Sequence, residues 1–580
     1  MIRAFRTIRP RTFSIASTFQ RNLTTDNVGN IININEGVHT NMVTIATGSS
    51  GIAAKKVVTE PRPTHILKQE IDTLFGEQHL SIRGVKQFMS EGLNECNVTT
   101  LSHLMRVTGK LTKDRRDMLL RFYMPIISDR VKVLKAVPWS FVDISNVVYG
   151  LQRMKERDNG VLDILASMTD MANVTGLGTQ VPTSQNISMM LFGISSFRCN
   201  QQETKNFLKV ITQMMKSCDT NFDAHHISNS MKGLQSMNGD IPEVQEVLEV
   251  FTERIKESTD FFGPKDVSNS LSGLRNMSCT NPVVTALIEA LLERIQTCQE
   301  PFKSKNVADS LNGFQKLTSD HEVVRNVLSV ITPMIRGCKE KMNSMSIGHA
   351  MIGLRGMNSD NREVLLLLKV LTECILKPAP VSPPNQPESQ LAINTANRLL
   401  DAQGVKNIFN GMRRMDSDDV EVRNLINAVL PVLSNSTQRI NASQLSDVFN
   451  GVQNMSSNHS EVRKLLVIIT QKVINCKQRL SPALVANCVS SLSKMDEKVI
   501  EVRNLIIAFT PVAEKAKKPF EALLLKRATG GLRNMDESDP CVKELLVALT
   551  AQTNKYSDGL DSEEASGDAV EDGETETEYK

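Results

Sequence analysis

The feature that most constrains this chain is a repeat. Gly193, Gly233, Gly273, Gly313 and Gly353 stand forty residues apart, and after one longer interval Gly411, Gly451, Ser491 and Gly531 resume the same step. Gly150 precedes the series by 43 residues. A fixed period of about 20–50 residues marks a stack of supersecondary units, none of which can bury its apolar face alone. Around each anchor a common line recurs: VSNSLSGLRNM at 267–277, VADSLNGFQKL at 307–317, LSDVFNGVQNM at 445–455. Apolar residues lie six and two before the anchor and one after it, with Met or a substitute four after. Those steps make one face of a helix, here termed helix A.

A glycine within a helix costs about 1 kcal/mol against alanine. It nevertheless recurs in nine of ten units, with serine in the tenth. A small residue three before it (Ser230, Ser270, Ser310, Ala350) often adds a second gap. Close approach of a neighbouring helix, where a Cβ would clash, is the expectation. Residues 97–107 read as a decayed earlier copy around His103.

Helix B follows after a short polar turn. Asp240 with Glu243, Asp360 with Glu363, Asp418 with Glu421 and Asn458 with Glu461 have capping-box spacing. The segments EVRNLINAVLPVL (421–433) and EVRKLLVIITQKV (461–473) then repeat an i, i+3, i+4, i+7 apolar face. Pro333, Pro431 and Pro511 share one register, where each should bend its helix, as a curved superhelix would use. The predicted fold class is all-α: an α-solenoid of about ten two-helix repeats, expected to wind right-handed, with disordered N- and C-terminal tails. Its expected divisions are a presequence (1–25), a linker (26–64), a degenerate helical region (65–139), repeats (140–376), a Pro-rich insertion (377–398), repeats (399–555) and an acidic tail (556–580).

The ends have compositions of their own. Arg3, Arg6, Arg9, Arg11 and Arg21 alternate with Ile2, Phe5, Ile8, Phe13, Ile15 and Phe19, and the first acid is Asp26. Arg-rich, Ser-containing and acid-free is the make-up of a mitochondrial presequence, so the expected location is the mitochondrial matrix. Residues 557–580 carry ten acids and one Lys, which leaves +12 for the rest of a chain whose net charge is +3. No run of about 18 apolar residues occurs, so no membrane span is expected.

The ten cysteines include no CxxC pair, and the nine histidines no HxxxH. Cys218, Cys298, Cys338 and Cys476 share one repeat position and read as packing residues rather than metal ligands. No Gly-rich phosphate loop, paired catalytic carboxylates or nucleophile motif is present. No catalytic residue, cofactor, metal or small-molecule substrate is therefore expected.

The VSNSLSGLRNM and EVRNLINAVL lines resemble the octotricopeptide and heptatricopeptide helical-hairpin repeats of organelle proteins, at a slightly longer period. The resemblance covers roughly residues 140–553. It implies selective binding of single-stranded RNA in organelle RNA processing, stability, translation or ribosome assembly. HEAT and armadillo repeats share a period of about 40–47 residues and define the alternative, a protein scaffold within a complex such as the mitochondrial ribosome.

Two bands of residues are candidates for contact. Two residues after the anchors stand Gln152, Gln235, Arg275, Gln315, Arg355, Arg413, Gln453 and Arg533; four before them stand Asn229, Asn269, Asn407 and Asn487. These positions, with the one just before the anchor, lie along one stripe of helix A, opposite its apolar face. Amide and guanidinium groups can pair with base edges, one base per unit; equally, they suit a solvated helix face. The second band is basic: Arg254, Lys256, Arg294, Arg336, Lys339, Lys341, Lys472, Lys477, Arg479, Lys517 and Lys518, near the end of helix B. It is expected to face phosphates, or else to complement helix C-termini.

Overall fold

The computed structural model describes residues 62–75, 82–111, 113–176, 180–378, 400–436, 438–516 and 520–563. The expected presequence, nearly all of the linker and of the Pro-rich insertion, and the tail beyond Glu563 lie outside these residues. All regular structure among the described residues is helical. The A helices are Thr64–Phe75, Val98–Gly109, Phe141–Gly150, Ser184–Gly193, Ala224–Leu234, Pro264–Gly273, Ser304–Asn312, Ser344–Gly353, Ala402–Gly411, Ala442–Asn450, Pro482–Ser490 and Ala522–Gly530. They pack in succession as one layer. The B helices run Lys113–Val133, Val161–Gly176, Gln202–Ser217, Pro242–Glu257, Pro282–Ile295, Glu322–Arg336, Arg362–Leu376, Val420–Ser434, Ser460–Asn475, Ile500–Glu514 and Pro540–Glu563. They form the second layer, again each packed on the last. The expected α-solenoid is therefore present, and the 65–139 region extends it: Val98–Gly109 packs on Phe141–Gly150 as any A helix packs on the next.

The anchors end helix A or stand one residue from its end, Gly233 just inside it and Gly313, Gly451, Ser491 and Gly531 just beyond; none lies mid-helix. The residues after them turn, as in the 3-10 segments Leu274–Asn276 and Leu354–Gly356. Their φ values are negative, −67° at Gly313, Gly353 and Gly451. The glycines are thus not left-handed helix caps. What they supply is space. A Cβ on Gly193, Gly233, Gly273, Gly313, Gly353, Gly411, Gly451 or Gly531 would fall within 3.0 Å of a carbonyl oxygen in the preceding A helix. That carbonyl belongs to the residue two before the preceding anchor: Leu271 for Gly313, Leu311 for Gly353. Gly150 sits on Met105 in the same way, so the anchor of the copy at 97–107 is Val107, not a position around His103.

B helices meet instead through bulk. Val247, Leu248, Phe251, Leu287, Leu291, Val327, Leu328 and Ile331 are fully buried between layers or neighbours. A stack with one closely spaced and one widely spaced layer must curve, with the close layer inside. Side chains of the turns that join helix A to helix B reach across units. Arg414 binds Asp320 at 2.9 Å and Lys494 binds Asp416 at 2.7 Å, each pair skipping a unit.

The capping expectation changes. The acidic residues expected to cap helix B stand outside it: the Asp360 and Asp418 amides donate to Asn358 Oδ1 and Asp416 Oδ1, closing tight turns, and the N-caps Asn361 and Asp419 make no side-chain cap bond. Capping boxes occur on A helices, as at Asn441 with Gln444. Pro333, Pro431 and Pro511 lie on the exposed side of B helices that continue through them. The last B helix runs to Glu563, past the point where the acidic tail begins in sequence. Cys218, Cys298 and Cys338 are buried, Cys476 is half-buried, and each thiol donates to a carbonyl two residues on.

Candidate nucleic-acid interface

In four units the turn after the anchor is stitched to the unit before it. Ser236, Asn276, Asn454 and Asn534, three residues past their anchors, donate to the carbonyls of Ser195, Gln235, Arg413 and Ser493. In the later units a second ladder runs beneath. Buried Ser319, Ser359, Ser417 and Ser457 accept from the amides of Asn358, Asp416, Ser456 and Asp496 at 2.8–2.9 Å. These ladders fix the height of every residue in the stripe. Periodicity of small polar residues three and six after the anchor was the signal that could have located them.

The stripe divides by residue type. Its glutamines serve the fold: Gln235 and Gln453 donate to the Ser195 and Arg413 carbonyls at 3.4 and 3.0 Å, and Gln315 donates to Asn312. Gln152 is buried. Asn407 is buried and accepts from Gln403, while Asn229 bonds His225; Asn269 and Asn487 are half-buried. The arginines differ. Arg275, Arg355 and Arg533 are exposed and Arg413 half-buried, and their side chains make no hydrogen bond or ion pair among the described residues. Lys232 and Arg527, on the same stripe at the positions one and four before their anchors, are likewise unengaged.

Their surroundings are cationic. Burial holds the Lys232 ammonium below its ordinary value; Asp309 opposes this, while Lys305 and Arg275 push it further down. Burial also lowers Arg275, although the residue is open to water, as expected on the inside of a curve. Arg413 is lowered by burial and then by Arg355 and Arg527, against Asp447. Arg527 belongs to the third unit beyond Arg413, so the curve brings together charges that a straight stack would separate. The two acids here are occupied, Asp309 by Lys305 and Asp447 by Lys406.

The basic band at the end of helix B is split. Arg254 Nη2 donates to the Met215 and Cys218 carbonyls at 2.7 and 3.0 Å, Arg294 to Ser258 at 2.6 Å, and buried Lys472 to Ser436 at 2.6 Å. These three clamp the end of the preceding B helix, where cations complement exposed carbonyls. Lys256 pairs with Glu253. Arg336, Lys339, Lys341, Lys477 and Arg479 remain exposed, and Lys517 and Lys518 lie outside the described residues. Further out, Glu246, Glu249, Glu253, Glu289 and Glu293 are exposed on two adjacent B helices. A cavity of about 430 Å³ beside Trp139 shares no residue with the stripe. Among the described residues no three His, Cys, Asp or Glu converge as a metal site would require, and no helix is long and apolar enough to cross a membrane.

These features define a helical-repeat protein of the α-solenoid class with a cationic inner face. No family model matches the chain, and no curated protein does either. Among solved structures it is similar to a circular tandem repeat protein with novel repeat topology and enhanced subunit contact surfaces. That likeness has 9% identity over 86% of this chain and 97% of the other, at a TM-score of 0.16.

Proposed function

We propose that this protein binds single-stranded RNA along the inner face of its A layer, as an octotricopeptide- or heptatricopeptide-like protein acting in organelle RNA processing, stability, translation or ribosome assembly. The observation that carries the reading is the unpaired cation set Lys232, Arg275, Arg355, Arg413 and Arg527, crowded on a concave surface whose acids are already neutralised. Like charges held together and partly stripped of water favour a polyanion, which relieves their repulsion. The arginine-rich, acid-free N-terminus supports the mitochondrial matrix as the location. Engagement of the glutamines argues against a base-reading pair in every unit; arginine carries the contact.

Fluorescence anisotropy with single-stranded RNA over a salt series tests this. Affinity should fall with a slope of roughly 0.7 per phosphate engaged, and Arg355→Ala with Arg413→Ala should flatten it. Absence of binding at moderate salt would reject the reading. A second reading, docking of a basic protein, is favoured by the outer acidic patch around Glu249 and Glu289 and predicts binding that survives loss of the arginines.

A further inference from the structure

The position just before the anchor forms its own row along the inner face. Gly150 resting on Met105 fixes the register of the early units, so this row opens Arg106, Tyr149, Phe192, Lys232. Further along it holds Ser272, which donates to the Asp309 carbonyl of the next unit, Asn312, which accepts from Gln315, then Ile352, buried Asn410, Asn450, and Ser490, which donates to the Asn487 carbonyl. Four successive units thus present cation, aromatic, aromatic, cation. Lys232 is half-buried and senses Arg275, Lys305 and Asp309 from the next two units, while Arg106 at the other end of the set is exposed.

The aromatic pair is unlike the other ring pairs among the described residues. Tyr149 and Phe192 lie 5.9 Å apart between centroids at an interplanar angle of 20°, nearly parallel. Phe222 with Phe251 meet edge-on and Phe449 with Phe509 are tilted, and all four of those rings are buried in the core. Tyr149 and Phe192 are only half-buried. Parallel rings from two successive A helices continue one stacking direction, and each ring is half-open to water. An apolar ring half-open to water, between two unpaired cations, suits a flat heteroaromatic group carrying phosphates on either side.

We infer that Tyr149 and Phe192 form a base-stacking platform for single-stranded RNA, with Arg106 and Lys232 holding the flanking phosphates. This rests on the RNA reading above and adds to it the place where bases, rather than backbone, are gripped. Stacking tolerates any base, so the platform would set where a strand seats and favour purines over pyrimidines without reading a sequence.

The probe is an oligoadenylate of about ten nucleotides carrying 2-aminopurine, whose fluorescence is quenched on stacking. A second probe has the same phosphates with abasic sites. Tyr149→Leu with Phe192→Leu keeps apolar bulk but removes the π-faces, and thermal melting checks that the stack is intact. The wild type should quench the probe. The double variant should lose quenching and bind the oligoadenylate about 5- to 100-fold more weakly, while Tyr149→Phe binds like the wild type. Wild type and double variant should bind the abasic strand alike. RNA bound with unchanged affinity and quenching by the double variant overturns the platform and leaves the RNA reading standing. No RNA bound by the wild type, or binding insensitive to Arg355→Ala and Arg413→Ala, overturns the RNA reading itself.

Discussion

In the A layer successive helices meet through a glycine resting on a carbonyl; in the B layer they meet through Leu, Ile, Val and Phe. The first contact cannot grow and the second cannot shrink. That difference in spacing curves the stack and decides what each surface can do. The inner layer gathers charges from units far apart in sequence, as Arg413 and Arg527 show. The outer layer spreads its units and displays acids, as at Glu246, Glu249, Glu289 and Glu293. One repeated glycine thereby sets packing, curvature and electrostatics together.

The largest expected effects probe the two contacts in opposite directions. Ile331→Ala in the B layer should cost about 2–5 kcal/mol, since the side chain is fully buried and its removal leaves a cavity. Gly353→Leu in the A layer should cost about 1–3 kcal/mol or more through overpacking, because its Cβ would overlap the Leu311 carbonyl most tightly of the series. Hydrogen exchange should place both losses in the altered unit and its neighbours, as a quasi-one-dimensional stack requires. If Gly353→Leu is silent while Ile331→Ala is not, the glycine contact does not set the spacing.

Much of this comparison was legible in sequence. The forty-residue step gave the unit, and a helix-unfriendly residue kept at one register announced a close approach. What stayed hidden is of two kinds, one set by the local turn and one by the neighbouring unit. An Asp before a helix reads as an N-cap, yet Asp360 and Asp418 close turns set by the residue two before each. A glutamine on a polar face reads as free, yet Gln453 is taken by a carbonyl one unit back. The partner of Gln453 comes from the stacking geometry, which no single period encodes. The stacked pair was hidden for a different reason: low aromatic content says nothing of two rings sharing a row.

A smaller effect separates the two kinds of cation along helix B. Arg294 reaches the Ser258 carbonyl, and a charged hydrogen bond of this kind contributes about 1.5–3 kcal/mol. Arg294→Ala should therefore lower the melting temperature and weaken RNA binding only as far as the fold loosens. Lys339→Ala with Lys341→Ala removes exposed charges and should change stability by less than about 0.5 kcal/mol, while weakening RNA of any sequence alike. Equal melting shifts for the two variants would erase the distinction between clamp and surface charge.

On the inner face, Arg355→Ala and Arg413→Ala should each weaken RNA binding by about tenfold and flatten its salt dependence. Charge removal on the outer layer supplies the contrast: Glu249→Gln with Glu289→Gln should leave RNA affinity nearly unchanged, because those acids lie on the opposite layer. If the outer pair matters as much as the inner, RNA does not run along the A layer.

The smallest effect is a pH dependence at Lys232. Burial and the nearby Arg275 and Lys305 lower its pKa from the ordinary 10.5. Between the lowered value and the ordinary one the folded protein binds fewer protons than the unfolded chain, so this residue's contribution makes stability rise with pH across that window. Below the window the ammonium is charged in both states and its desolvation is an unrelieved cost to the fold. A phosphate beside Lys232 offsets that cost and pulls the pKa back up, so RNA binding should take up protons and weaken as pH rises through the lowered value. Lys232→Met should remove both trends, giving flatter stability and flatter affinity against pH. An affinity profile with the same slope in wild type and Lys232→Met would mean that no phosphate reaches the ammonium, and that the inner row contacts its ligand elsewhere.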